Sequence, residues 1–271
     1  MDLDAEYDNR RRVPDYPRYL AEWEREAKAF RSAGGGEFDL AYGEHPRQRC
    51  DVFRSKDDLG GPMVMFIHGG YWRSLHKDVF SHLARGLGFH GIPVALPSYR
   101  LCPEVRVADI VEDVRACAGW LAKRYGRPLV AAGHSAGGHL AACLAATDWR
   151  RLGHQAPVVT AGLGISGLYD LRPLIPAYFN EDLRLDEPEA RRSSPIAWPV
   201  PRGLPFEAWV GAEESGEFLR QSRTLAAVWT GGGAPTKYVE MKGANHFSVI
   251  APLSQPDSPL TLALAALCGE A

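Results

Sequence analysis

Five cysteines in 271 residues, Cys50, Cys102, Cys117, Cys143 and Cys268, are too few and too scattered for a disulfide framework, and no Cys-x-x-Cys pair suggests a zinc site. They read as buried free thiols. Charge of one sign is lacking too: 31 Lys and Arg stand against 33 Asp and Glu, a formal net charge of −2 that gives no general reason to bind nucleic acid or an anionic membrane. No uncharged apolar run reaches membrane-spanning length, and the opening MDLDAEYDNRRRVPDYP is charged where a secretory leader would be apolar. Internal repeats and low-complexity tracts are absent. What remains, 45% hydrophobic and 24% charged residues, is an ordinary globular composition. A cytoplasmic enzyme or binding protein is expected, with a small molecule as its partner, a homodimer open as its assembly, and neither cofactor nor metal suggested.

The order of elements is informative. Tyr16, Leu20, Trp23, Ala27 and Phe30 are spaced 4, 3, 4 and 3, the stripe of an amphipathic helix over 15–31 that stops at Gly34-Gly35-Gly36. Two strand-like stretches, FDLAYG and RQRCDVF, flank His45-Pro46 and predict an antiparallel hairpin. Buried runs at 62–67, 92–96, 128–133, 156–166, 204–211 and 236–241 then alternate with helical stretches near 76–90, 107–125, from 135, 216–230 and from about 257. Parallel strands need crossovers, which helices supply, so the pattern specifies a three-layer α/β fold: a mostly parallel sheet, helices on both faces and an antiparallel N-terminal hairpin. A chain of this length fits one domain, 1–271, with an N-terminal helical segment at 1–36. Only 167–202 breaks the rhythm, with prolines at 173, 176, 188, 195, 199 and 201, and reads as a small cap over the site.

Gly133-His134-Ser135-Ala136-Gly137 fits G-x-S-x-G between a buried strand and a helix, the context that makes the motif meaningful. Such a serine stands in a tight turn where small residues are required two positions either side. As a nucleophile Ser135 needs a base, and the partners in this arrangement follow in the order acid, then histidine. His154 precedes the next strand, whereas His246 follows the last one directly and is the expected base. The acid is left open by position: Glu213 and Glu214 follow 204–211, Glu217 lies further on, and Asp170 follows the preceding strand. An oxyanion hole needs convergent N–H donors, expected from Ala136 and from Gly69 and Gly70 in His68-Gly69-Gly70 after the run 62–67. Tyr71 and Trp72 beside that hole, with Tyr169 and Tyr178 in or near the cap, are candidates to stack on an aromatic substrate, while Arg73 and Arg100 read as solvated charges. These residues predict a serine hydrolase of ester or amide bonds. A carboxylesterase acting on short-acyl or aryl esters and a non-catalytic protein of the same fold are the other readings.

HGGYWR at 68–73, GHSAGGHLAA at 133–142, SGLYDLRPL at 166–174, GAEESGEFLRQS at 211–222 and NHF at 245–247 together resemble the α/β-hydrolase family, and within it the arylformamidase (kynurenine formamidase) branch and related bacterial esterases. The opening LDAEYDNRRRVPDYP is similar to the N-terminal segment of bacterial members, so the likeness spans nearly the whole chain. It implies an α/β-hydrolase fold and hydrolysis of N-formylkynurenine-type substrates. It also implies Glu214 as the acid, since family members carry D-S-x-E-F-x-x-Q-S and this chain has Glu214 where they have aspartate, followed by Ser215, Glu217, Phe218, Gln221 and Ser222. The departure keeps Glu213 as the substitute.

Overall fold

Every apolar run read as a strand forms one in the computed structural model, which describes residues 2–55, 57–58 and 60–269; Met1, Glu270 and Ala271, the ends of the expected domain, lie outside the described residues. The strands are β1 (Gly36–Ala41), β2 (Arg49–Phe53), β3 (Met63–Ile67), β4 (Val94–Pro97), β5 (Leu129–His134), β6 (Val159–Ile165), β7 (Phe206–Gly211) and β8 (Thr236–Met241). They make one sheet in the order β1-β2-β4-β3-β5-β6-β7-β8. β1 and β2 form the expected hairpin, and β2 also runs antiparallel to β4, with Cys50 opposite Pro97 and Phe53 opposite Val94. From β4 to β8 the sheet is parallel.

Both faces are covered, which is why all of β3 and all of β5 are buried rather than alternating with polar residues. Met63, Met65 and Ile67 join Leu129 and Ala131 in one core, and Val64 and Phe66 join Val130 and Ala132 in the other, as the two-residue period of a strand requires. The helices are α1 (Leu3–Tyr7), α2 (Asn9–Arg12), α3 (Tyr16–Ser32), α4 (Ala84–Phe89), α5 (Val107–Tyr125), α6 (Ala136–Ala145), α7 (Asn180–Leu183), α8 (Glu187–Arg192), α9 (Gly216–Gly231) and α10 (Pro259–Leu267). Val107 and Val114 of α5, Leu140 of α6 and Phe218 of α9 pack on the first face; Trp23 of α3, Leu87 of α4 and Leu260 of α10 pack on the second.

Two stretches differ from expectation. The helix near 76–90 is a 3-10 turn, Lys77–Leu83, followed by the short α4. The buried Lys77 ammonium accounts for its position, donating to Asp39 at 2.7 Å and to Asp51 and Asp78 at 2.8 Å, which ties the turn to the hairpin. The N-terminal 1–36 segment contains two extra short helices ahead of α3, started by Asp2 and Asp8, whose carboxylates accept the N–H groups of Ala5 and Arg11. The 167–202 segment is packed down rather than free: Leu168, Leu171, Phe179 and Leu183 are core residues, and the Ser194 hydroxyl accepts Leu171 N–H at 2.8 Å.

Four histidines, His68, His82, His134 and His139, are buried in this framework as neutral rings. His68 stacks on Tyr99 with ring centres 4.4 Å apart; His139 accepts from Trp72 Nε1 at 3.2 Å and donates through Nε2 to the Ser193 carbonyl at 2.6 Å. Desolvation by burial lowers His68 to about 3, His82 and His139 to about 4, and His134 well below its ordinary value. In the unfolded chain these rings titrate near pH ~6.5, so the unfolded state gains protons that the folded state refuses. Stability is therefore full above about pH 6.5 and falls as pH drops towards 4, by up to about 1.4 kcal/mol per pH unit for each histidine involved. Urea unfolding at pH 7, 6 and 5 is expected to show a falling midpoint, and a constant midpoint would contradict neutral burial of these rings.

Candidate active site

Ser135 joins β5 to α6 with φ 57° and ψ −119°, a conformation that side chains other than glycine rarely adopt. It is held there from both sides. Ser135 N–H donates to the Ile165 carbonyl at 2.8 Å, and the serine carbonyl accepts His139 N–H at 3.1 Å. A Cβ at Gly133 would collide with the Gly137 backbone, and one at Gly137 would collide with the Ile67 carbonyl, so the turn closes only with glycine at both. A Cβ at Gly69 would lie 3.0 Å from Ser135 Cβ and 2.9 Å from the His134 carbonyl, which shows how closely the β3 loop passes the serine. Ser135 precedes α6 as an N-cap residue yet makes no capping bond, because its hydroxyl faces His246 instead.

His246 stands in the loop after β8, its Nε2 3.1 Å from Ser135 Oγ and its Nδ1 2.6 Å from Glu214 Oε2. A carboxylate only accepts, so Nδ1 carries the proton and Nε2 presents its lone pair to the serine hydroxyl. The other carboxylate oxygen, Glu214 Oε1, accepts Gly211 N–H at 2.8 Å and the Ser166 hydroxyl at 2.5 Å. Ser166, at the end of β6, itself has a φ of 52°, which turns its hydroxyl to that oxygen. The acid and histidine loops touch: Glu213 N–H donates to the Ala244 carbonyl at 3.0 Å, and a Cβ at Gly211 would strike that same carbonyl. Ring contacts from Phe218 and His134, each 4.7 Å centre to centre, hold the imidazole plane, and His134 Nε2 donates to the His246 carbonyl at 2.9 Å.

The other acid candidates lie elsewhere. Glu213 is exposed, Glu217 accepts from Tyr7 and pairs with Arg220, and Asp170 pairs with Arg172. Gly69 borders Ser135, Gly70 (φ 110°) lines the adjoining cavity, and Ala136 opens α6, so the three N–H groups expected to converge come from the two loops that meet at the serine. The dipole of α6 adds positive character there.

Ser135 and His246 open into a cavity of about 340 Å³ walled by Leu20, Trp23, Tyr71, Leu75 and Phe247. Of the four aromatic candidates, Tyr71 and Tyr178 line it, whereas Trp72 and Tyr169 do not. Both are fully buried: Trp72 is spent on His139 beneath the loop, and Tyr169 packs on Phe206 behind β6. Of the cap, Tyr178 and Asp182 line the cavity. Sequence reasoning missed the N-terminal wall, Tyr7 to Arg10 with Leu20 and Trp23. Its signal was present in the Asp2 and Asp8 caps of two helices too short to be seen as periodic. Arg73 and Arg100 are not free solvated charges, since they pair with Asp182 and Asp113.

Residues 64–249 match the α/β-hydrolase-fold family. The chain is 30% identical over 240 residues to kynurenine formamidase of Danio rerio, covering 86% of this chain and 82% of that one. It is 25% identical over 236 residues to isoprenylcysteine alpha-carbonyl methylesterase ICME of Arabidopsis thaliana, covering 76% of this chain and 55% of the relative. Among solved structures, a protein of Silicibacter sp. TM1040 provisionally described as a thioesterase superposes with a TM-score of 0.89 at 35% identity, covering 99% of both chains.

The geometry separates the two neighbouring glutamates sharply. Glu214→Gln, which keeps the shape and loses the charge, is expected to lower kcat on p-nitrophenyl acetate by about 10³- to 10⁴-fold, the scale of losing an imidazole-orienting carboxylate. Glu213→Gln should stay within about twofold, as an exposed substitution away from such a contact does. Equal losses in the two variants would show that the hydrogen bond to His246 is not what orients the ring.

Proposed function

The chain belongs to the α/β-hydrolase-fold family and is a hydrolase, and from that premise we propose that it cleaves the formamide bond of N-formyl aromatic amines, with N-formylkynurenine-type compounds as the substrate class. The observation that carries this reading is the line Glu214–His246–Ser135 opening into an aromatic-walled cavity, in a chain 30% identical to a kynurenine formamidase.

In this reading Ser135 Oγ attacks the formyl carbon while His246 Nε2 takes the hydroxyl proton, and Glu214 stabilises the imidazolium that forms. The carbonyl oxygen becomes an oxyanion, for which the Gly69, Gly70 and Ala136 N–H groups are the proposed donors. Collapse breaks the C–N bond, and His246 returns the proton to the departing aryl amine, leaving formyl-Ser135. A water activated by His246 then attacks the formyl-serine and releases formate. Tyr71 and Tyr178 are the proposed aromatic contacts for the ring of the leaving group.

Esterase action on short-acyl or aryl esters uses the same groups and is the second reading, favoured by the likeness to the methylesterase. The two part on the leaving group, because an aryl amine must be protonated as it leaves and a phenolate need not be. Purified protein should give a higher kcat/KM on N-formylkynurenine than on p-nitrophenyl acetate, and no formamide turnover would remove the formamide reading. Ser135→Ala is expected to lose at least about 10⁴-fold on either substrate; retained turnover would remove the mechanism itself.

A further inference from the structure

The polar side chains around the cavity are almost all engaged. Tyr7 donates its hydroxyl to Glu217 at 2.6 Å, Tyr71 donates to the Tyr7 carbonyl at 2.6 Å, and Ser74 donates to the Gly70 carbonyl at 2.9 Å. Asp182 pairs with Arg73, Asp8 accepts Arg11 N–H, His134 donates to the His246 carbonyl, and the Arg10 guanidinium lies 5.3 Å over the Tyr16 ring. Among the buried ones Asn9 is the exception. It is 5% exposed, it lines the cavity, and neither Nδ2 nor Oδ1 has a hydrogen-bond partner. Among the described residues it is the sole cavity-lining side chain with a buried polar atom left without a partner.

A buried amide with both ends unpaired is costly to a folded protein, so its persistence needs a reason. Nor is it loosely placed: Asn9 opens α2 between Tyr7, anchored through both its hydroxyl and its carbonyl, and Val13, which is buried in the second core. A side-chain amide at the wall of a site can supply N–H donors and a carbonyl acceptor to a ligand, and its placement by the flanking residues lowers the cost of ordering it.

We propose that Asn9 is a specificity-determining residue whose side-chain amide hydrogen-bonds a second polar group of the substrate, a carbonyl, carboxylate or amino group carried on the leaving portion. The inference rests on the formamide reading in one respect: with a one-carbon acyl group, the remainder of the substrate lies on the leaving side. The substrate class it selects is an acylated aryl compound bearing such a polar substituent, in preference to the bare aryl analogue. A site that hydrogen-bonds a substrate discriminates against analogues lacking the group, because its own buried polar atoms are then stranded.

The test is a ratio. Wild type and Asn9→Leu, a change of similar volume, are assayed on N-formylkynurenine against formanilide, and on 2-carbamoylphenyl acetate against phenyl acetate. In each pair the first member carries the polar substituent and the second lacks it. Asn9→Leu is expected to lower the kcat/KM ratio, polar over bare, by about 10-fold or more, through KM more than kcat. Asn9→Ala should lower the same ratio, and the melting temperature of Asn9→Leu should equal or exceed that of wild type, since an unpaired buried amide has been removed. A ratio unchanged by both variants overturns the proposal, as does a melting temperature that falls with equal losses on both members of a pair, which marks a structural role. If wild type cleaves neither formamide, the formamide reading fails by itself, and the ester pair alone decides the role of Asn9.

Discussion

The close approach of the β3 loop to the turn at Ser135 is the constraint on which the site depends. Gly133, Gly137 and Gly69 sit where a single methyl group would meet backbone carbonyls of Gly137, Ile67 and His134. With those three positions bare, the loop after β3 and the start of α6 come together beside the serine. The serine bears the cost in its own backbone, at φ 57° and ψ −119°, and is kept there by its N–H bond to the Ile165 carbonyl at the end of β6 and by the His139 N–H from the first turn of α6. Strain of this kind survives only where the surroundings over-determine it, and the parallel pairing of β5 with β3 on one side and β6 on the other does that.

From that fixed point the remaining partners are set by strand ends. β6 leads into Ser166, β7 into the turn of Glu214 and β8 into the loop of His246, so three consecutive strands of the sheet deliver the hydroxyl, the carboxylate and the imidazole. Glutamate in place of aspartate is accommodated because its longer side chain is pinned at the far oxygen by Gly211 N–H and the Ser166 hydroxyl, leaving the near oxygen for His246. The extra methylene therefore adds reach without adding freedom. Neighbouring histidines contribute by staying neutral: His134 can only donate to the His246 carbonyl, and burial keeps a second positive charge away from the imidazole.

How much of this was legible in the sequence follows from the range of each interaction. The sheet and its flanking helices rest on local periodicity, which the apolar runs display directly. The pairing of Ser135 with His246 follows from chain order, because in a parallel sheet every strand ends at the same edge. Choosing Glu214 over Glu213 needed more than position, since adjacent residues point in different directions and only the turn after β7 decides which one faces inward. Trp72 and Tyr169 mark the limit: an aromatic near a site in sequence is drawn into the core when a partner such as His139 or Phe206 lies beneath it. The 3-10 turn at Lys77–Leu83 was hidden for a similar reason, its position being dictated by a buried ammonium that pairs with Asp39 and Asp51 of the distant hairpin as well as with its neighbour Asp78.

The N-terminal wall was the least legible part because it has no independent stability. α1 and α2 span five and four residues, far below the length at which an isolated helix holds in water. Their order is borrowed. Glu6 accepts Glu217 N–H at 3.0 Å in the first turn of α9, Tyr7 donates to the Glu217 carboxylate, and Asp4 accepts Tyr178 N–H at 2.8 Å from the cap. Burial pushes the Tyr7 phenol well above its ordinary range, so it remains a donor, while the Arg220 guanidinium holds Glu217 below the usual carboxylate range and keeps it an acceptor. Glu217 lies three residues from Glu214, so the turn that carries the carboxylate behind His246 leads directly into the helix that holds the wall across the cavity. Disturbing the start of α9 would therefore be felt at both sides of the serine at once, and the wall cannot be treated as a separate lid laid over a finished site.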